Sequence, residues 1–255
     1  MKKENILQWN KRIFSKSFGQ IDLNIIWMIF LDSIFYLSSW LLYSFWELRI
    51  QQKLDSLNLP SPEEVISLGE KAELVAQSSR DFYILQVSSF ILVVLAIVLI
   101  ASIIKFLIWA KVTRTRYSLH LFSKFLTLNL IWTAIWSILI FSAAKFAQLS
   151  YVRTFIIALT ILGVYFTSIT YPIFMHQKKI KVIGKSIYMA ISKIRFFMIP
   201  FAIFLFLTFW TIRIGVNINF RFAGYLYTLL LLVVLAYYRY YTSAMVQDLE
   251  HAENK

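Results

Sequence analysis

Apolar residues fall in six long blocks separated by polar or basic stretches. The blocks cover about 23–46, 82–110, 126–148, 152–175, 197–214 and 223–243. A helix needs about twenty apolar residues to cross the hydrocarbon of a bilayer. Lipid offers no partner to a peptide group, so a segment inside it must close its own hydrogen bonds, as an α-helix does. The pattern predicts an all-α polytopic membrane protein with six transmembrane helices, and residues 1–255 as a single membrane domain. The first block is too long for a signal-peptide core and no small-residue cleavage site follows it, so it reads as a retained span.

Most connections are short, which predicts three antiparallel hairpins. The exception is segment 47–81, expected to be a helical loop outside the cytoplasm. Within it Ser61, Pro62 and Glu64 have the spacing of a capping box, with proline at the first helical position. Val65, Ile66, Leu68, Ala72 and Val75 would give the following helix an apolar face.

Composition agrees with this reading. Hydrophobic residues make up 59% of the 255 and charged residues 15%, too few charges to cover a water-facing surface. Lys and Arg set the orientation. Segments 1–21, 111–124, 177–195 and the tail from Arg239 hold 17, while 47–81, 145–153 and 213–221 hold eight. The positive-inside rule then places both termini in the cytoplasm, in a multi-pass protein of the cell membrane. Trp46, Trp109 and Trp210 near span ends, and Tyr237, Tyr238, Tyr240 and Tyr241 around Arg239, read as interfacial aromatic anchors. A net charge of +13 would suggest nucleic acid for a soluble protein. Here the cations sit at span ends, as the rule demands, and no nucleic-acid partner is expected. Lys145, Arg153, Arg213 and Arg221 read as snorkelling side chains at outer ends.

The basic segments carry apolar residues at helical spacing. Ile6, Trp9, Ile13 and Phe14 alternate with Lys11, Arg12 and Lys16, and Ile180, Ile183, Ile187 and Ile191 with Lys178, Lys181 and Lys185. Such segments are expected to lie in the headgroup plane as amphipathic interfacial helices, with Lys11, Arg12, Lys16, Lys178, Lys179, Lys181 and Lys185 toward anionic lipid headgroups. Phe14-Ser15-Lys16, Phe122-Ser123-Lys124 and Ile191-Ser192-Lys193 each precede an odd-numbered span. This suggests three repeated units, each an interfacial helix followed by a hairpin.

Candidate chemistry is sparse. Asp32 lies well inside the first span, where a carboxylate costs about 2.5–3.5 kcal/mol unless it faces protein or water. Lys105 lies at comparable depth in the second, so the two are expected to form an intramembrane ion pair or a proton site. Ser33 and Tyr36 beside Asp32, and Tyr165, Ser168, Thr170 and Tyr171 before Pro172, could line a polar cavity or bond helices together. With no Cys there are no disulfides or thiolate sites, and His120, His176 and His251 lack metal-ligand spacing. No zinc motif, phosphate loop or nucleophile elbow occurs, and spans three to six contain no acid. No metal, cofactor or enzymatic activity is therefore expected. The expected role is a membrane-complex subunit or scaffold binding lipids and protein partners. The alternatives are a small transporter or permease subunit using Asp32 and, far behind, a membrane enzyme.

Overall fold

The computed structural model describes residues 5–56, 71–146, 149–217 and 223–253. Among them every regular element is α-helical and no strand occurs. The helices are α1 (Ile6–Phe18), α2 (Asn24–Ser56), α3 (Lys71–Val112), α4 (Leu119–Phe146), α5 (Leu149–Gln177), α6 (Val182–Ser192), α7 (Ile194–Asn217) and α8 (Ala223–Glu253). Six of these, α2 to α5 with α7 and α8, are long and apolar enough to cross a membrane.

Helix lengths differ from the apolar blocks. At about 1.5 Å rise per residue, the 33 residues of α2 and the 42 of α3 exceed the roughly 30 Å of hydrocarbon. Thus Glu47–Ser56 stays helical as the end of α2, and α3 begins at Lys71, ahead of its apolar block. The predicted capping box and Val65, Ile66 and Leu68 lie outside the described residues, as does Arg221.

The basic stretch before α4 contains no interfacial helix, so the expected three-fold repeat is incomplete. Arg114 adopts a left-handed φ of 53°, and the Thr115 amide donates to the Ala110 carbonyl at 2.8 Å, closing α3. Ser118 Oγ accepts from the Leu121 amide at 3.2 Å and starts α4. Too few residues remain between these caps for another helix. By contrast α1 and α6 do form, ahead of the first and fifth spans. Pro172 and Pro200 lie inside α5 and α7.

Two compact units emerge, one of residues 34–101 and one of 1–33 with 102–255. In the first, Trp46 on α2 donates its indole N–H to Ser89 Oγ on α3 at 3.0 Å and packs on Phe90. In the second, α8 is the central element: Tyr238 to Val246 form an unbroken buried run. Around that half lie the buried Trp9 and Ile13 of α1, Ile169, Ile173 and Phe174 of α5, Val182 and Met189 of α6, and Phe197 and Phe201 of α7. The opposite halves of α4, α5, α7 and α8 expose large side chains such as Phe141, Phe155, Phe209 and Leu226, as helices surrounded by lipid would. The core of this unit is therefore concentrated at one end, the end that carries α1.

Where α7 meets α8, a Cβ added to Gly215 would lie 2.6 Å from the Tyr227 ring and 2.9 Å from its Cβ. Rotating the ring cannot relieve a clash with its Cβ. Gly215→Ala is therefore expected to destabilise the protein by about 1–3 kcal/mol, read as a lower melting temperature in detergent. Gly184→Ala, with nothing within 4 Å of the added atom, serves as the neutral control.

Candidate functional site

The polar side chains of the second unit converge on α8. From Tyr237 to Tyr241, every residue sends its polar end to a different place. Tyr237 pairs with Ser17 of α1 at 3.2 Å, and Tyr238 with Ser168 of α5 at 3.0 Å. Arg239 donates both guanidinium nitrogens to Asp32 of α2, at 2.5 and 2.9 Å. Tyr240 donates to Asp22, just before α2, at 3.0 Å, and Tyr241 to Asn10 Oδ1 of α1 at 2.8 Å. Successive helical residues point about 100° apart, so five in a row address all sides of the helix. Only a helix surrounded by protein can use them in this way. These tyrosines were expected in an interfacial belt. Instead Tyr238, Tyr240 and Tyr241 are buried and Tyr237 half-buried, because α8 continues helical past its apolar block to Glu253 and the segment beyond is packed.

Asp32 is 3% exposed and pairs with Arg239, a partner that the sequence reading did not offer. A guanidinium offers two parallel N–H groups to a carboxylate and so satisfies both oxygens, which an ammonium cannot do as fully. Lys105 lies within Coulombic reach of both charges, with its ammonium 5.9 Å from the centroid of the Tyr171 ring. The pair thus belongs to a group of three charges carried by α2, α3 and α8, in which Asp32 and Arg239 are buried and Lys105 is half-buried.

The hydroxyl-rich stretch of α5 joins helices. Tyr165 donates to the Ala190 carbonyl of α6 at 2.8 Å, and Thr167 accepts from the Trp132 indole of α4 at 2.8 Å. Tyr171 donates to Asn129 at 2.5 Å, and Asn129 in turn donates to Ser102 at 2.6 Å, linking α5, α4 and α3. Thr170 bonds back to the Phe166 carbonyl. Ser33 and Tyr36, expected to flank Asp32 in a polar cavity, are both exposed.

Two acids near the C-terminus complete the arrangement. Asp248 accepts from the Trp9 indole at 2.8 Å and forms an ion pair with Arg12 at 3.3 Å. Glu250 accepts from Gln177 at 2.5 Å and lies 3.0 Å from both His176 Nδ1 and Lys185 Nζ. These acids and Asp22 were not singled out from the sequence. A usable signal was there: residues 82–247 contain no Asp or Glu, so the few acids flanking that stretch had to serve its many cations. At Asp22, burial raises the carboxyl pKa, but bonds from Asn24 and Tyr240 and the charge of Arg114 outweigh it and hold the group below its usual value. Burial pushes the Tyr117 phenol up.

Two residues of the expected apolar face of α1 are covered by protein rather than lipid, while Phe14 of the same face is exposed. Trp9 and Ile13 are buried, with the Trp9 ring edge-on to Phe196 at 4.8 Å. What α1 leaves exposed is a stripe of Leu7, Phe14 and Phe18 beside Lys11, Arg12 and Lys16. On α6 the packed residues are Val182, Ser186, Met189 and Ala190, while Ile187 and Ile191 face outward. Lys178, Lys179 and Lys181 are exposed, whereas Lys185 is committed to Glu250.

A shallow groove of about 560 Å³ runs along Gln8, Lys11, Arg12, Ser15 and Lys16. A second, of about 400 Å³, is lined by apolar and aromatic residues around the α3–α4 turn. Neither reaches Asp32. Among the described residues no group of three His, Asp or Glu side chains is placed to hold a metal ion. The arrangement therefore fastens helices together and presents cations. No protein-family model matches the chain, and no curated protein or solved structure shows significant similarity to it.

Proposed function

We propose that this protein is a non-catalytic multi-pass scaffold of the cell membrane. Its spans form three antiparallel hairpins, both termini are cytoplasmic, and its basic face contacts anionic lipid headgroups and protein partners of a membrane complex. One observation carries the reading. Asp32, the acid buried within the spans, is satisfied at both oxygens by Arg239 and lies against neither groove. A carboxylate that moved protons or ions would need access to water. The exposed lysines, by contrast, are available for contact. That α1 packs on the C-terminal half of α8 supports a common side for both ends, and the excess of Lys and Arg there supports the cytoplasm.

The natural chain lacks cysteine, so single cysteines report orientation cleanly. In intact cells Asp55→Cys should react with a membrane-impermeant maleimide, and Lys179→Cys only after permeabilisation. The reverse pattern would invert the protein. Ser168→Cys, buried in this packing, should stay unreactive in both; labelling there would reveal water within the spans and favour a transporter.

The contact surface is tested by changing Lys11, Lys16, Lys179 and Lys181 together to glutamine. Each lysine near an anionic surface contributes about 1 kcal/mol. Mass spectrometry of gently purified protein should find less anionic lipid and fewer partners, with an unchanged melting temperature because these side chains are exposed. Unchanged recovery of both would count against the scaffold role.

A further inference from the structure

We infer that the groove beside the α3–α4 turn seats an acyl chain of an anionic phospholipid, whose phosphate is met by Lys111 and Arg116. This rests on the proposed lipid-contacting role and narrows it to one lipid class and one place. The groove, of about 400 Å³, is walled by Ile103, Phe106 and Leu107 from the end of α3 and by Tyr117 and Phe122 across the turn. Phe106 is buried and edge-on to both Tyr117, at 6.2 Å, and Phe122, at 5.5 Å, which gives the groove a firm aromatic floor. Its rim is open: Ile103 is about half exposed and Leu119 almost wholly so.

Position and charge select the occupant. The lining residues are the last turns of one span and the first of the next, so the apolar part lies where a span meets the headgroup layer. Just beyond it the turn carries Lys111, Arg114 and Arg116, all exposed. Arg114 acts on Asp22. Lys111 and Arg116 make no ion pair among the described residues, and residues 82–247 supply no acid to neutralise them. Apolar walls ending at two uncompensated cations match a lipid whose chain and phosphate lie in that order. A zwitterionic headgroup would return a positive charge to the same place, so the anionic class is preferred.

The test uses the full chain in neutral detergent, with native mass spectrometry counting bound dioleoylphosphatidylglycerol, dioleoylphosphatidylcholine or glycerol 3-phosphate. Phosphatidylglycerol should be retained in preference to phosphatidylcholine, and glycerol 3-phosphate should not displace it. Lys111→Gln with Arg116→Gln should weaken phosphatidylglycerol about fivefold for each cation lost and remove the preference. Ile103→Trp, which extends a half-exposed side chain over the groove, should weaken both lipids. Displacement by glycerol 3-phosphate would mean that the headgroup alone binds, and would overturn the groove. Parent-like retention in both variants would also overturn it, as would an equal loss from Lys179→Gln with Lys181→Gln. If the turn and groove variants have no effect while the four-lysine variant still loses lipid and partners, the groove fails and the broader scaffold role stands.

Discussion

Removing the Arg239 guanidinium, as in Arg239→Gln, is expected to cost about 3–5 kcal/mol, because it leaves a buried carboxylate without its partner. Asp32→Asn should cost a similar amount by stranding the arginine, whose side chain is only 9% exposed. The double variant Asp32→Asn with Arg239→Gln should recover a large part of either loss, since two neutral amides can bond to each other and Lys105 loses a repelling neighbour together with the attracting one. Melting temperatures in detergent supply the four corners of the cycle, and a coupling near zero would refute the pairing. The same cycle with Lys105→Met separates the observed arrangement from the one expected from the sequence. If Lys105 were the main partner of Asp32, Lys105→Met would rescue Asp32→Asn; in the geometry seen, Arg239→Gln does so. A buried pair contributes little net stability compared with an apolar replacement. The cycle therefore measures how strongly the two charges depend on each other, and with it how firmly the start of α2, up to Ser33, is registered against α8.

The fold class was legible because bilayer thickness imposes a length on apolar helices, and that length shows directly in the chain. All six predicted blocks coincide with long apolar helices. Their ends were less legible. Apolar content falls where the hydrocarbon ends, whereas the helix continues wherever protein covers it. The last span shows the difference: its apolar block stops near 243, yet α8 runs to Glu253 and buries Ala244, Met245, Val246 and Leu249. Reading the block as the helix end placed Arg239 at the headgroups and left Lys105 as the apparent partner for Asp32. The apolar spacing of Ala244, Met245 and Leu249 was the overlooked sign that packing continued.

The polar ring around α8 was less legible still, because each of its bonds joins residues far apart in sequence, such as Asn10 with Tyr241 and Ser168 with Tyr238. Composition shows that a tyrosine is amphipathic, but not whether its hydroxyl meets water, a headgroup or a serine. For α1, periodicity correctly marked Trp9 and Ile13 as one apolar face. It could not distinguish lipid from protein as the surface covering that face, since both exclude water. The exposed basic residues were the most legible part of the candidate site, because solvation of a lysine depends little on its tertiary neighbours. Lys185 is the exception, drawn in by an acid 65 residues away.

Trp9→Ala should release α1 from the rest of the unit. The indole is 1% exposed, stacks edge-on against Phe196 and donates to Asp248, so truncation loses packing and a charge-assisted bond together. Burial on this scale is worth about 3–5 kcal/mol, more than a 13-residue helix in water can supply by its own propensity. Trp9→Phe keeps most of the apolar contact and should lose only the bond to the carboxylate, about 1.5–3 kcal/mol, with Arg12 still beside Asp248. The readout is a single cysteine at Ser17, a fully buried position facing Tyr237. In the parent chain Ser17→Cys should resist a water-soluble maleimide. Adding Trp9→Ala should make it react rapidly at temperatures where the spanning helices remain folded by circular dichroism, and Trp9→Phe should give an intermediate rate. Protection that persists in Trp9→Ala until the whole chain melts would show that α1 is held by its remaining bonds, Asn10 with Tyr241 and Arg12 with Asp248, and not by the tryptophan.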